Sequence, residues 1–214
     1  SDSVVVTGAA TFNHVDGSIP TADLATEVRS MYWGAGALST DGTDCQTPAE
    51  VTIASGPKFY TVACAMASSE TDGFIHGSTV LPDSINIAAD VTFEVTARVL
   101  TDNAGATAHG YMEIQCVAAD STVGSTWSSG TDLDVTQVVG DVADDILQDT
   151  SGAVDLAQGA NPDCVGGDTM FWRYKVCDTD TVPSTGCTSS AGAENDHHYV
   201  GFKMEYTTDI GDVL

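Results

Sequence analysis

One stretch, "DVTFEVTARVLT" (Asp90 to Thr101), constrains the fold of this chain more than any other. Val91, Phe93, Val95, Ala97 and Val99 fall on one side of an extended backbone; Thr92, Glu94, Thr96 and Arg98 fall on the other. A period of two marks a strand with one face in a core and one face in water. Wound as a helix, the same apolar side chains would scatter around the whole circumference.

Similar runs recur along the sequence. They are "SVVVTGAATF" (Ser3 to Phe12), "SMYWGAGAL" (Ser30 to Leu38), "AEVTIAS", "KFYTVACAMA", "DGFIHGSTVL", "HGYMEIQCVAA", "DLDVTQVV", "TMFWRYKVC" and "YVGFKMEYTT". Gly, Asp, Asn and Ser clusters separate them at fairly regular intervals, the pattern of a β-sandwich or barrel. Helix signals are sparse. "TADLATEVRS" has an N-cap candidate at Thr21 and room for two helical turns. "VGDVADDILQ" is ambiguous, but Thr150-Ser151-Gly152 makes a natural turn after it and favours a strand. "SIPTADLATE" reads as a linker. It divides an N-terminal arm, residues 1–20, from a body, residues 21–214, long enough for one β domain.

Charge excludes several partners. With 31 acidic and 6 basic residues the net charge is −25, which repels nucleic acid and anionic lipid. No stretch approaches the ~18 apolar residues of a membrane-spanning helix, so no membrane insertion is expected. The charge also fits a saline habitat, and carboxylate clusters attract divalent cations weakly. Six cysteines (Cys45, Cys64, Cys116, Cys164, Cys177 and Cys187) form no CxxC pair, which argues against a zinc ribbon or a thioredoxin-type site. An even count in a Lys-poor chain favours disulfides and an extracellular setting. Of the many pairings, Cys177–Cys187 is favoured, because an excursion from strand to loop brings the two near each other; closing so short a loop contributes roughly 2–3 kcal/mol. The other four cysteines stay unassigned. The chain starts at Ser1, which fits a cleaved signal peptide or a trimmed initiator methionine.

The order of several motifs carries a family resemblance. "DGFIHGSTVLPDS" (Asp72 to Ser84) precedes the alternating strand "ADVTFEVTARVLT". "HGYMEIQCVAADS" follows, then "GGDTMFWRYKVCDTD" and "HHYVGFKMEYTT". Across roughly residues 60–207 this resembles a jelly-roll domain of tailed-phage structural proteins, in fibre, decoration and other virion components. Gly167, Asp168, Phe171, Arg173 and Asp178 match the motif leading into that family's penultimate strand. Val200, Phe202, Met204 and Glu205 match its closing strand. Two features depart from the family: the six cysteines, and a loop of about twenty residues from Asp178 to His198. The resemblance implies a jelly roll of two antiparallel sheets, a structural role and no catalytic residues. Secreted filament subunits use jelly rolls too, and suit the cysteines better.

Candidate chemistry is thin. His197 and His198, near Glu194 and Asp196, are adjacent on a strand and so point to opposite faces, which argues against a shared metal. Asp178 and Asp180, or the turn from Asp41 to Asp44, offer oxygen ligands for calcium. Neither matches an EF-hand loop, and Asp is the ordinary turn residue. No GxSxG, HExxH, P-loop or Rossmann glycine set is present, so neither an enzyme nor a resident cofactor is expected. Tyr32, Trp33 and Trp127 are candidate ligand-facing aromatics for a sugar, set against Trp33 and Trp172 packing between sheets.

The arm holds Val4, Val5, Val6, Thr7 and Phe12, a strand-forming segment with small Gly8 and Ala10 beyond. Such a segment pairs within its own sheet or adds to a neighbour's open edge. Near the other end, Phe171, Arg173 and Lys175 share one face of a strand, and Trp172, Tyr174 and Val176 share the opposite one. The mixed first face suits a strand partly covered by something else. The expected function is a self-assembling subunit of a virion surface, whose partners are its own copies and other virion proteins. The alternatives are a secreted filament subunit, polymerising by donation of its N-terminal strand, and a carbohydrate-binding module.

Overall fold

Buried and solvent-facing side chains alternate along the long strands as the sequence demands. Val91, Phe93, Val95, Ala97 and Val99 are all buried. So are Trp172, Tyr174 and Val176, while Phe171 and Arg173 lie on the other face, each partly exposed. The computed structural model describes residues 4–6, 10–12, 26–53, 56–64, 73–100, 107–128, 130–136, 141–157, 163–177 and 197–208.

The strands in chain order are β1 (Val4–Val6), β2 (Ala10–Phe12), β3 (Glu27–Gly34), β4 (Ser39–Thr40), β5 (Ala49–Thr52), β6 (Lys58–Ala63), β7 (Gly73–Val80) and β8 (Thr92–Val99). There follow β9 (Thr107–Ala108), β10 (Gly110–Val117), β11 (Thr131–Asp132), β12 (Val135–Thr136), β13 (Ile146–Thr150), β14 (Thr169–Val176) and β15 (His197–Thr208). One sheet runs β11-β10-β14-β7-β4. The other runs β13-β8-β15-β6-β5, with β3 also paired to β15. All the pairings are antiparallel. From β6 onward the long strands alternate between the two sheets, and the last two enter the middles of sheets begun earlier. The result is an all-β, jelly-roll-like sandwich.

The core lies between the sheets and is aromatic at its centre. Trp172 of β14 meets Phe202 of β15 at 5.0 Å and Trp33 of β3 at 5.2 Å between ring centroids. Tyr174 meets Phe202 at 5.1 Å and Tyr199 at 5.3 Å. The Tyr174 hydroxyl donates to the Leu133 carbonyl at 2.9 Å, which satisfies the one polar atom this ring carries inward. Burial pushes the Tyr174 phenol well above its ordinary range.

Three local readings of the sequence change. Residues 27–30, placed at the end of a helix, belong to β3. Eight consecutive pairs with β15, from Glu27↔Thr208 to Gly34↔Gly201, outweigh the local helical preference. The run ending at Leu38 stops as a strand at Gly34 and continues as a 3-10 turn, Ala35–Ala37. The arm is not one strand: β1 and β2 pair with each other, Val4 opposite Phe12. The "VGDVADDILQ" ambiguity resolves to strand β13, paired with β8. Residues 13–25, which carry the boundary between arm and body, lie outside the described residues.

β15 hides a change of phase. The register against β8 shifts between Tyr199 and Gly201, leaving Val200 as an extra residue. Before the bulge His197 and Tyr199 are buried; after it Phe202, Met204, Tyr206 and Thr208 are. A one-residue insertion therefore keeps both halves of the strand aimed at one core.

The Gly167-Asp168 pair has a structural job ahead of β14. Gly167 adopts φ +85°, a conformation that favours glycine. The buried Asp168 carboxylate accepts the Val165 N–H at 3.0 Å. This turn is tied to the end of β7 by Leu81 N–H to the Asp168 carbonyl, 2.9 Å, and Gly167 N–H to the Leu81 carbonyl, 2.9 Å.

Candidate functional site

Two surfaces stand out. The first is the outer face of the five-stranded sheet. Register places Glu113 of β10, Arg173 of β14 and His76 of β7 in one row across neighbouring strands. Ser39 of β4 extends that row. Arg173 pairs with Glu113 at 2.5 Å. Its guanidinium lies 4.8 Å from the Phe74 ring centroid and 4.4 Å from that of Trp127.

Trp127 reaches this face because its loop folds back along β10. Ser128 N–H donates to the Ile114 carbonyl at 2.9 Å, and Ile114 N–H donates to Ser128 Oγ at 2.9 Å. Gln115 Nε2 donates to the Thr126 carbonyl at 2.9 Å. The cover expected over the mixed face of β14 is thus, at Arg173, a loop of the same chain. The cation gains two aromatic faces and a carboxylate, a strong arrangement for a part-buried guanidinium. His76, 6.5 Å from Trp127, is pushed below its ordinary value by burial first and by Arg173 second. It therefore brings little positive charge to the row near neutral pH. Trp127 is half-buried.

The second surface is the free side of β3. Among the described residues β3 pairs with β15 alone. Met31 and Trp33 turn inward onto the core, whereas Val28 is 66% exposed and Tyr32 60%. The Tyr32 ring leans back over Gly201 of β15. A Cβ built there would meet Tyr32 Oη at 2.5 Å and Cζ at 2.8 Å, so glycine is what makes room for the ring. Arg29 and Glu27 pair with each other at 2.8 Å.

The candidate aromatics therefore separate. Trp33, partly buried, packs against the core, the alternative set beside a ligand-facing role: it stands edge-on to Trp172, and its Nε1–H donates to the Ser78 carbonyl at 3.1 Å. Tyr32 faces solvent, and Trp127 is half covered. Phe74, His76, Glu113 and Arg173 were not grouped by sequence reasoning, because cross-strand neighbours are set by register and not by spacing along the chain. The mixed face of β14 was the available signal.

The remaining candidates are quickly placed. His197 is buried and His198 half-buried on the opposite face, with Nδ1 3.5 Å from Thr61 Oγ1. Burial, with Arg98 second, pushes His198 below its ordinary value. Asp41 Oδ1 accepts the N–H groups of Thr43 (3.2 Å) and Cys45 (2.9 Å), and Oδ2 that of Phe74 (2.8 Å). Its carboxylate is occupied as a turn cap. No group of three or more metal-ligating side chains occurs among the described residues. Asp178, Asp180, Glu194 and Asp196 lie outside the described residues, as does Thr7 of the arm.

Two disulfides are defined, Cys45–Cys64 and Cys116–Cys164. They fit an extracellular or secreted setting. Cys177 is also disulfide-bonded, and Cys187 lies outside the described residues. Among the described residues no helix is long and apolar enough to cross a membrane.

No family model matches the chain, and no curated protein matches it. Among solved structures it is similar to the enzymatically active domain of tailspike protein 4 from bacteriophage CBA120. The identity is 8% and the TM-score 0.30, over 85% of this chain. The chain spans 19% of the length of that one. The expectation of a non-enzymatic protein is corrected here, because the matched structure is a domain described as enzymatically active. A likeness this distant assigns no chemistry to particular residues.

Proposed function

We propose that this chain is a self-assembling subunit of an extracellular surface structure, a virion surface first and a secreted fibre second. Copies join by pairing of exposed strand edges. The observation that carries this reading is β3: eight residues that among the described residues are paired on one side alone, with Val28 and Tyr32 held out to solvent. A long edge of this kind is a template for another strand unless something guards it. The charges on β3 neutralise each other in the Arg29–Glu27 pair. The net charge of −25 opposes association of whole copies, so assembly strengthens as salt screens it. The arm is the second candidate contact, and its first twenty residues hold two acidic side chains, Asp2 and Asp16.

Sedimentation of the whole chain over a range of concentrations tests this. The expected result is a species larger than the monomer. Val28→Lys together with Tyr32→Lys shifts it toward monomer with the circular dichroism unchanged. A wild-type chain that stays monomeric at every concentration and salt level overturns the reading.

A second reading, carbohydrate binding, is favoured by the half-covered Trp127 beside Phe74 and Arg173. Its test is tryptophan fluorescence against a glycan panel. A response lost in Trp127→Ala supports it, and a flat response across the panel removes it.

A further inference from the structure

The β3 edge specifies a contact as well as permitting one. We propose that β3 pairs antiparallel with β3 of a second copy, about a two-fold axis through Ser30. The two sheets that contain β3 then run on as one. This rests on the self-assembly reading above and goes further, by naming the partner segment, its register and its symmetry.

The register follows from which side chains share a face. Val28, Ser30 and Tyr32 project to the same side of β3, because alternate residues do. A two-fold axis perpendicular to the sheet keeps each face on its own side, so the axis must pass through a residue. That residue then faces its own copy. Centred on Arg29, the pairing sets like charges opposite each other, which is destabilising. Centred on Met31, it leaves Val28 without an apolar partner across the junction.

Centred on Ser30, each Val28 lies opposite Tyr32 of the second copy. That gives two aromatic–β-branched pairs, a favourable cross-strand combination. Arg29 then faces Met31 of the second copy, and Glu27 faces Trp33 of the second copy. The residue on the axis is small and uncharged. This register covers the most exposed large hydrophobic side chain of the described residues, Val28 at 66%, and Tyr32 at 60%.

Two further observations agree. The Tyr32 ring leans toward β15 and Gly201, so it does not cover the open backbone edge. The basic side chains nearest this edge, Arg29 and Lys203, are both ion-paired, Lys203 with Glu94 at 2.8 Å and Glu205 at 3.3 Å. No unmatched positive charge has to be buried at the junction. A contact of this symmetry is closed, so it yields a pair of subunits. Growth beyond the pair needs a different surface.

Disulfide trapping tests the register. Opposed residues in antiparallel strands have Cα atoms about 4.5–5.5 Å apart. That lies inside the range of about 4.4–6.8 Å spanned by disulfides. Ser30→Cys in the whole chain, oxidised mildly, is expected to double in mass on non-reducing gels. Val28→Cys alone is expected to stay single, and Val28→Cys mixed with Tyr32→Cys to form the doubled species. If Ser30→Cys stays single while the wild-type chain sediments above monomer size, assembly uses another surface: this inference falls and the self-assembly reading stands. If the wild type is monomeric throughout, both fall. Equal trapping of Ser30→Cys and Val28→Cys marks random collision and overturns the register.

Discussion

Trp172 of β14 lies across Gly77 of β7, its directly paired neighbour, so closely that a methyl group built on Gly77 would overlap the indole. Tyr174 of the core likewise covers Gly110, which is not its paired neighbour, and the partly exposed Tyr111 covers Gly130 outside the core. Each large ring occupies the space a side chain would take. Glycine weakens a strand in isolation, and here it makes room for the aromatic core.

Gly77→Ala is therefore expected to destabilise the fold, against the usual benefit of alanine over glycine in a strand. The cost of forcing Trp172 aside is about 1–3 kcal/mol. Thermal and urea unfolding of the variant would measure it, and an unchanged or raised midpoint would show that the indole moves freely.

Removing the two defined disulfides should cost unequal amounts. Cys45–Cys64 closes a separation of 19 residues and Cys116–Cys164 one of 48. Chain-entropy scaling gives about 3 kcal/mol for the first and about 4 kcal/mol for the second. Paired Cys→Ser variants, compared by denaturant midpoint, should rank in that order.

His76 and His198 make stability depend on mild acid. Burial holds both below their ordinary value of 6.5, so in the folded chain each resists protonation. The unfolded chain therefore binds more protons as pH falls through 6.5. Their contribution is fully present above 6.5 and is lost as pH drops through the depressed folded values. Unfolding midpoints measured from pH 8 to pH 5 should fall less in a His76→Gln, His198→Gln double variant than in the wild type.

The Arg173 stack should behave as a unit. Trp127→Ala removes one of its two aromatic faces, at a cost of about 0.5–2 kcal/mol. Arg173→Lys keeps the charge but loses the planar group that stacks and pairs with Glu113. Because the two changes remove one shared contact, the double variant should lose less than the sum of the singles. Strict additivity in the double-mutant cycle would show that ring and cation do not interact.

Much of the sandwich was legible because β8 and β14 have one face in the core and so print a period of two into the sequence. The arrangement of β3 was less legible. An edge strand with Glu27, Arg29 and Ser30 at its start meets few apolar requirements, and reads as the polar end of a helix. The phase change at Val200 was invisible too, since "HHYVGFKMEY" holds two alternations offset by one residue. Trp127 stood out as a candidate ligand-facing aromatic, but its partner Arg173 lies far along the sequence. Periodicity reports which side of a strand faces inward, and nothing about which distant segment lies across it. The disulfide pairings were unreadable for the same reason.

β15 pairs with β8 along one edge and with β6 and then β3 along the other, while β14 sits between β7 and β10. Each sheet thus receives its middle strand late. On the ribosome, β3, β6 and β8 emerge with no strand to join them to one another, and the edges of β7 and β10 that β14 bridges stay unpaired. At about 5–20 residues per second, several seconds pass between the appearance of β8 and that of β15. Through that interval the nascent chain holds sticky, half-built layers, and the event that makes them one sandwich is the arrival of β15.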